Sequence, residues 1–196
     1  MQKIIVSISL LSVFLCVFSV ACTNSSASNS SANIVKDSAA RVQRGSYLVN
    51  AMGCDDCHSP KRMGAHGPEI IPELRFSGFP QNAALPPVDS TEIQKGWTLF
   101  APGLTSAVGP WGASFAANIT SDGSGIGNWK EENFLRAIRE GKNKGLANGR
   151  QLLPPMPWAV YRNLSDEDLL SIFAFLKTTK PVNNVAPAPK SLQQLR

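Results

Sequence analysis

Cys54-Asp55-Asp56-Cys57-His58 is the stretch on which the reading of this 196-residue chain turns. Thiols at i and i+3 project from the same side of a helical turn, and here an imidazole follows directly. That spacing lets both sulfurs add across the two vinyl groups of one porphyrin edge and aims the imidazole at the metal. It is the C-x-x-C-H pattern of covalent haem c attachment, with Cys54 and Cys57 as thioether donors and His58 as one axial ligand of the iron. Thioethers do not dissociate, so a cofactor held this way survives where free haem is scarce.

Other chemistries fit these five residues less well. A structural zinc site wants four ligands, and after Cys22 the chain offers only Cys54, Cys57, His58 and His66, without a second pair at the usual spacing. A thioredoxin-like redox pair would lie near a strand-helix-strand pattern, which the sequence lacks. A disulfide across two intervening residues is geometrically awkward.

The sixth iron ligand must come from elsewhere. Leu153-Pro154-Pro155-Met156-Pro157-Trp158 presents a methionine among three prolines, which fix the chain direction and lower the entropy cost of presenting the thioether. Met156 falls just before the last helix, so the chain can fold around the haem and return on its far side. Isolated methionines are usually core filler, and Met63, Met52 and His66 compete for the same role.

Working outward, Ala39 to about Cys57 reads as a helix with Val42, Gly45 and Leu48 facing inward and Gly53 marking a bend. Residues 59–127 hold most of the glycine and proline and no helical period. Loops are expected there, some paired as short strands, with Phe76, Phe79, Trp97, Phe100, Trp111 and Phe115 as cofactor wall or ordinary core. Asn128, with Glu131 three positions on, reads as a capped helix start, and Gly141 as its end. The last helix is the most explicit: Ser165 caps it, Leu164 can staple on Leu169, and Leu169, Ile172, Phe173 and Leu176 form one apolar stripe. Pro181 stops it, and residues 181–196 read as an extended or mobile Pro/Ala-rich tail.

Residues 1–21 read as a signal peptide, because Lys3 precedes an uncharged and largely apolar run from Ile4 to Val20. An uncleaved anchor is the structural alternative. Phe18-Ser19-Val20-Ala21-Cys22 looks like a lipoprotein cleavage site, with lipid on Cys22 and residues 22–38 as a flexible polar tether. Ser19, where such sites usually carry leucine, departs from that pattern. Losing Lys3 with the signal lowers the net charge of +5 to +4, with basic residues scattered and no recognition motif, which excludes a nucleic-acid binder. Arg136, Arg139, Lys142, Lys144 and Arg150 crowd one region, readable as a solvated face or as a docking patch for an acidic redox partner.

Together these segments resemble a class I, single-haem c-type cytochrome, similar to the haem domains in cytochrome subunits of bacterial membrane-bound alcohol and aldehyde dehydrogenases. The matching segments lie within residues 40–185: Arg44-Gly45-Ser46-Tyr47-Leu48, the Cys54–His58 motif, Ala117-Asn118-Ile119-Thr120, Gly125-Ile126-Gly127-Asn128-Trp129, and Pro155-Met156-Pro157-Trp158 with Leu164-Ser165-Asp166-Glu167-Asp168-Leu169. The resemblance implies a mainly α domain over residues 39–180, its helices wrapped around one haem, and a long loop-rich insertion. It also implies Met156 as distal ligand, a crossing of first and last helices near Gly45 and Tyr47, and Arg150, Trp129 and Asn118 as candidates to hold the propionates. Multihaem dehydrogenase subunits carry three such motifs; this chain has one.

The function expected is one-electron transfer rather than catalysis, since no acid-base cluster accompanies the iron ligands. Redox partners would be a dehydrogenase, an oxidase or a respiratory complex. The expected place is the periplasm, with a lipid at Cys22 as membrane anchor. Two alternatives stay open: a subunit of a larger dehydrogenase, and a haem enzyme or sensor whose sixth ligand is displaceable.

Overall fold

The computed structural model describes residues 26–195, so the expected signal peptide and Cys22 lie outside the described residues. The chain divides after Asp37, and the account below concerns the unit from Ser38 onward. Helix α1 spans Ser26–Ala51, starting well before the expected Ala39. It does not run on to Cys57. Gly53 adopts φ +68°, a left-handed conformation that suits glycine, and a separate short helix, α2, begins at Cys54 and ends at His58.

Three helices enclose the main core. α1 contributes Leu48 and Val49, α4 (Glu131–Arg139) contributes Phe134 and Ile138, and α6 (Asp166–Leu176) contributes Leu169, Ile172, Phe173 and Leu176. Each such side chain, fully buried, is worth roughly 1.5–3 kcal/mol. Phe134 and Phe173 meet at 5.3 Å between ring centroids. Gly45 sits where α1 touches α6: a Cβ there would lie 1.9 Å from the Ser171 carbonyl oxygen. Tyr47, by contrast, is exposed and lies beside Arg44, which pairs with Asp168 at 2.8 Å.

Helix starts agree with local sequence at one end and shift at the other. Ser165 Oγ accepts from the Asp168 N–H at 3.1 Å, as expected for α6. α4 begins two residues later than Asn128 predicts, because the Asn133 side chain reaches back to accept from the Lys130 N–H at 3.0 Å. Gly141, at φ +67°, follows its end.

The insertion is more ordered than a run of loops. β1 (Lys61–Gly64) and β2 (Gly67–Ile70) form an antiparallel hairpin, with Met63 opposite Pro68. After the short helix α3 (Ser90–Gln94), strands β3 (Leu99–Phe100), β4 (Ser106–Gly109) and β5 (Gly112–Phe115) make a second antiparallel sheet in that order. Ile93, Val108 and Ala113 centre a satellite core that also takes in Leu192 and Leu195 from the chain end. Phe76 and Phe79 are buried, whereas Trp97 and Phe100 are largely exposed.

The C-terminal segment runs without regular structure from Pro181 to a 3-10 turn at Leu192–Leu195, and it is not loose. Lys190 exchanges backbone hydrogen bonds with Ala113 at 2.8 and 3.1 Å, and Asn184 is buried. Its anchors lie far back in sequence, at Ala113 and at Ser77, Phe79 and Gln81, beyond the reach of any local signal. A Pro/Ala-rich composition disfavours a long α-helix, and among the described residues of this segment only Leu192–Leu195 close a 3-10 turn.

Candidate haem-binding site

α2 is rigidly mounted. Lys61 Nζ donates to the carbonyls of Asp55, Asp56, Ser59 and Gly103 at 2.7–3.1 Å, satisfying the orphan acceptors at the C-terminal end of the helix. On the other side Asp55 accepts from Arg75 Nε and Nη2 at 3.0 and 2.6 Å and from Ser59 Oγ at 2.6 Å. Burial pushes the Asp55 carboxyl up, but these hydrogen bonds outweigh it and hold the group below its ordinary value. α2 is thereby tied to the segment at Arg75 before any cofactor is considered.

Cys54 and Cys57 are both free thiols one turn apart, neither fully buried. Burial, reinforced by neighbouring Asp55, pushes the Cys54 thiol up to about 11, and burial raises Cys57 as well. A redox-active pair needs a stabilised thiolate, so these shifts run against the thioredoxin-like alternative. They are compatible with thiols that end as neutral thioethers.

His58 is held by its ring. Nδ1 lies 2.7 Å from the carbonyl oxygen of Ala117, and a carbonyl can only accept, so Nδ1 carries the proton and Nε2 keeps a free lone pair. Burial lowers the His58 pKa, which favours the neutral imidazole a metal requires. Nothing near Cys54 in sequence announces Ala117; the carbonyl arrives from the end of β5.

Met156 borders the same core as Cys54. Both pack against the cluster of Leu48, Val49, Phe134 and Leu169, together with Met52, Ile119, Trp129, Leu135 and Tyr161. The segment carrying Met156 is pinned where Ser114 Oγ donates to the Pro154 carbonyl at 2.6 Å, and where Tyr161 OH donates to the Met52 carbonyl at 2.9 Å. Met63 is 76% exposed on β1 and His66 lies exposed in the β1–β2 turn, away from this core. Met52 does pack on it, one residue before Gly53. Among the described residues no group of three or more His, Cys, Asp or Glu is placed to hold a metal ion, so the zinc alternative lacks its geometry.

Two thiols on one turn, an imidazole with its free nitrogen available and a thioether against an apolar wall fit a haem c. The matching family model, Cytochrome c, covers residues 42–180. The chain belongs to the cytochrome c family. Over 152 residues, 76% of its length, this cytochrome is 32% identical to the fructose dehydrogenase cytochrome subunit of Gluconobacter japonicus, covering 23% of that protein. It is 31% identical over 153 residues, 78% of the chain, to the gluconate 2-dehydrogenase cytochrome c subunit of Pantoea cypripedii, covering 25% of it. A shorter match, 39% identical over 82 residues, joins it to the cytochrome c subunit of a quinone alcohol dehydrogenase from Gluconobacter oxydans, covering 40% of this chain and 16% of that one. The cytochrome spans about a quarter of the length of the first and second of these relatives. Haem-based electron transfer is the chemistry of the family, and the cofactor is covalent haem c with its iron.

The remaining polar candidates separate. Asn118 is committed to the fold: its Nδ2 donates to Ser124 Oγ, Val182 O and Asn184 O, and its Oδ1 accepts from Thr120 N and Oγ1 at 2.9 and 2.8 Å. That leaves little for a propionate. Trp129 packs on the core, and Arg150 donates to the Gln151 carbonyl at 2.9 Å, with burial lowering its pKa. Of the basic cluster, Arg136 donates to the Gly145 carbonyl and Arg139 to the Arg162 carbonyl and Asp166, so both serve the fold rather than a free patch.

Proposed function

We propose that this cytochrome carries one electron at a time through a single haem c, attached at Cys54 and Cys57, with His58 and Met156 as axial ligands of the iron. The observation that carries this is the placement of Met156 and Cys54 on one apolar core while His58 Nδ1 is spent on Ala117 O, leaving Nε2 for the metal. A haem bound there supplies an iron that cycles between ferric and ferrous states, and His/Met ligation gives it a comparatively high potential. The chain contributes orientation and dryness: Arg75, Asp55 and Lys61 fix α2, and Ile119, Trp129 and Leu135 line the apolar wall. One C-x-x-C-H motif in the sequence argues for one haem. The protein is exported to the periplasm after loss of residues 1–21 and held at a membrane by lipid on Cys22, the reading its N-terminal sequence supports.

Its electron donor or acceptor is a dehydrogenase, as the names of its relatives suggest. Exposed Met63, Trp97, Phe100 and Leu104 in the insertion favour a second form of this reading, in which the chain is a resident dehydrogenase subunit. Absorption spectra of oxidised and reduced protein, with and without pyridine, test the core claim. A pyridine haemochrome of the two-thioether type supports it, and protein matured with haem machinery that carries no covalent haem defeats it. Purification with a dehydrogenase at fixed stoichiometry separates the subunit from a free shuttle.

A further inference from the structure

The extended C-terminal segment crosses behind the His58 side of the site. Asn184, 6% exposed, donates through Nδ2 to the carbonyls of Ser77 and Phe79 at 2.6 and 2.9 Å and accepts at Oδ1 from the Gln81 N–H at 2.9 Å. One side chain thus closes the turn Ser77-Gly78-Phe79. That turn touches the histidine support on two sides. The Gly78 N–H donates to the His58 carbonyl at 2.8 Å, and the Phe79 N–H donates to the Ala116 carbonyl at 2.9 Å.

Gly78 also lies flat against the next peptide. With φ +78°, it approaches so closely that a Cβ would fall 2.4 Å from Ala116 O and 2.5 Å from the carbonyl carbon of Ala117. Ala117 O is the atom that accepts from His58 Nδ1. From the other side Asn118 grips the same strap, donating to Val182 O and Asn184 O at 2.8 and 3.1 Å. The Ala117–Asn118 peptide therefore has its orientation set by a clamp whose far jaw is the chain end.

We propose that Asn184 is a positioning residue for the iron site: it holds the 77–79 turn against residues 116–117 and thereby fixes the Ala117 carbonyl that orients and polarises His58. The inference rests on the haem reading above. A carbonyl that accepts firmly from Nδ1–H makes the ring a stronger donor at Nε2 and favours the ferric iron. Loosening the clamp weakens that donation and raises the reduction potential.

Three variants of the full holoprotein test it: Asn184→Ala, Asn184→Asp, which keeps the acceptor for Gln81 and removes both donated bonds, and Leu192→Ala, which weakens the same strap at its far end. The readouts are reduction potential and solvent exchange of the His58 Nδ1 proton in the ferrous protein by NMR. Both Asn184 variants are expected to speed exchange by roughly tenfold or more, and Asn184→Ala, which adds no charge, is expected to raise the potential, while Leu192→Ala lowers thermal stability and leaves both readouts unchanged. Loss of stability in both Asn184 variants with exchange as in the natural sequence, and with an unchanged potential in Asn184→Ala, overturns the proposal. Absence of covalent haem in the natural sequence would sink the haem reading itself.

Discussion

His58 and Ala117 are joined by a 2.7 Å hydrogen bond from imidazole to backbone carbonyl across 59 residues. The insertion that separates them in sequence is what brings the carbonyl into place. Replacing Gly78 with alanine attacks this arrangement directly, since the new Cβ would need φ +78° and sit 2.4 Å from Ala116 O. The expected cost is about 3 kcal/mol of stability. Denaturant midpoints measure it, and the ferrous spectrum should shift in parallel as His58 loses its partner.

Gly45→Ala tests the contact between α1 and α6. A methyl group 1.9 Å from the Ser171 carbonyl and 2.8 Å from Phe175 Cβ has no room, and both neighbours belong to the helix rather than to a flexible side-chain tip. Over-packing of this kind costs about 3 kcal/mol. Unfolding by urea should show a lower midpoint with the slope retained, and an unchanged midpoint would mean that the helices separate freely.

How much of this could be read beforehand depends on the range of the interaction. The helical turn at Cys54–His58, the Ser165 cap and the Leu169–Leu176 stripe follow from local patterns, and the structure contains each. α4 starts two residues after the position Asn128 predicts because Asn133 competes with Asn128 as a capping group, a choice that local sequence does not decide. The strands of the insertion are short and turn-rich, so their alternation is too brief to read. Ala117, Gly78 and Asn184 are illegible as site residues because their contacts are with groups 20 to 107 positions away. A buried asparagine in a Pro/Ala-rich tail leaves one faint signal: a polar amide that outlying chain has no local use for.

The Arg44–Asp168 pair gives a pH test of the α1–α6 contact. The hydrogen bond from Arg44 holds the Asp168 carboxyl below its ordinary value. A carboxyl depressed in the folded state adds stability above its unfolded pKa, near 4, and loses it as the pH falls through the folded value. Arg44→Met should therefore have a lower denaturant midpoint than the natural sequence at pH 7, with the difference shrinking toward pH 2. A difference that stays constant with pH would assign the effect to the lost aliphatic packing of Arg44 instead.

Met156→Ala and Met63→Ala separate the ligand from the bystander. Met156 packs with Cys54 on the main core, whereas Met63 is 76% exposed on the hairpin. If Met156 binds the iron, its removal abolishes the long-wavelength ferric charge-transfer band of methionine ligation, lowers the potential because the thioether no longer favours the ferrous form, and opens the iron to carbon monoxide. Met63→Ala should leave all three properties as they are. Truncating Met156 also costs about 2 kcal/mol of packing in the haem-free fold, so stability alone cannot decide the role. The decisive comparison is the band: its persistence in Met156→Ala would move the sixth ligand to Met52, the other methionine on this core.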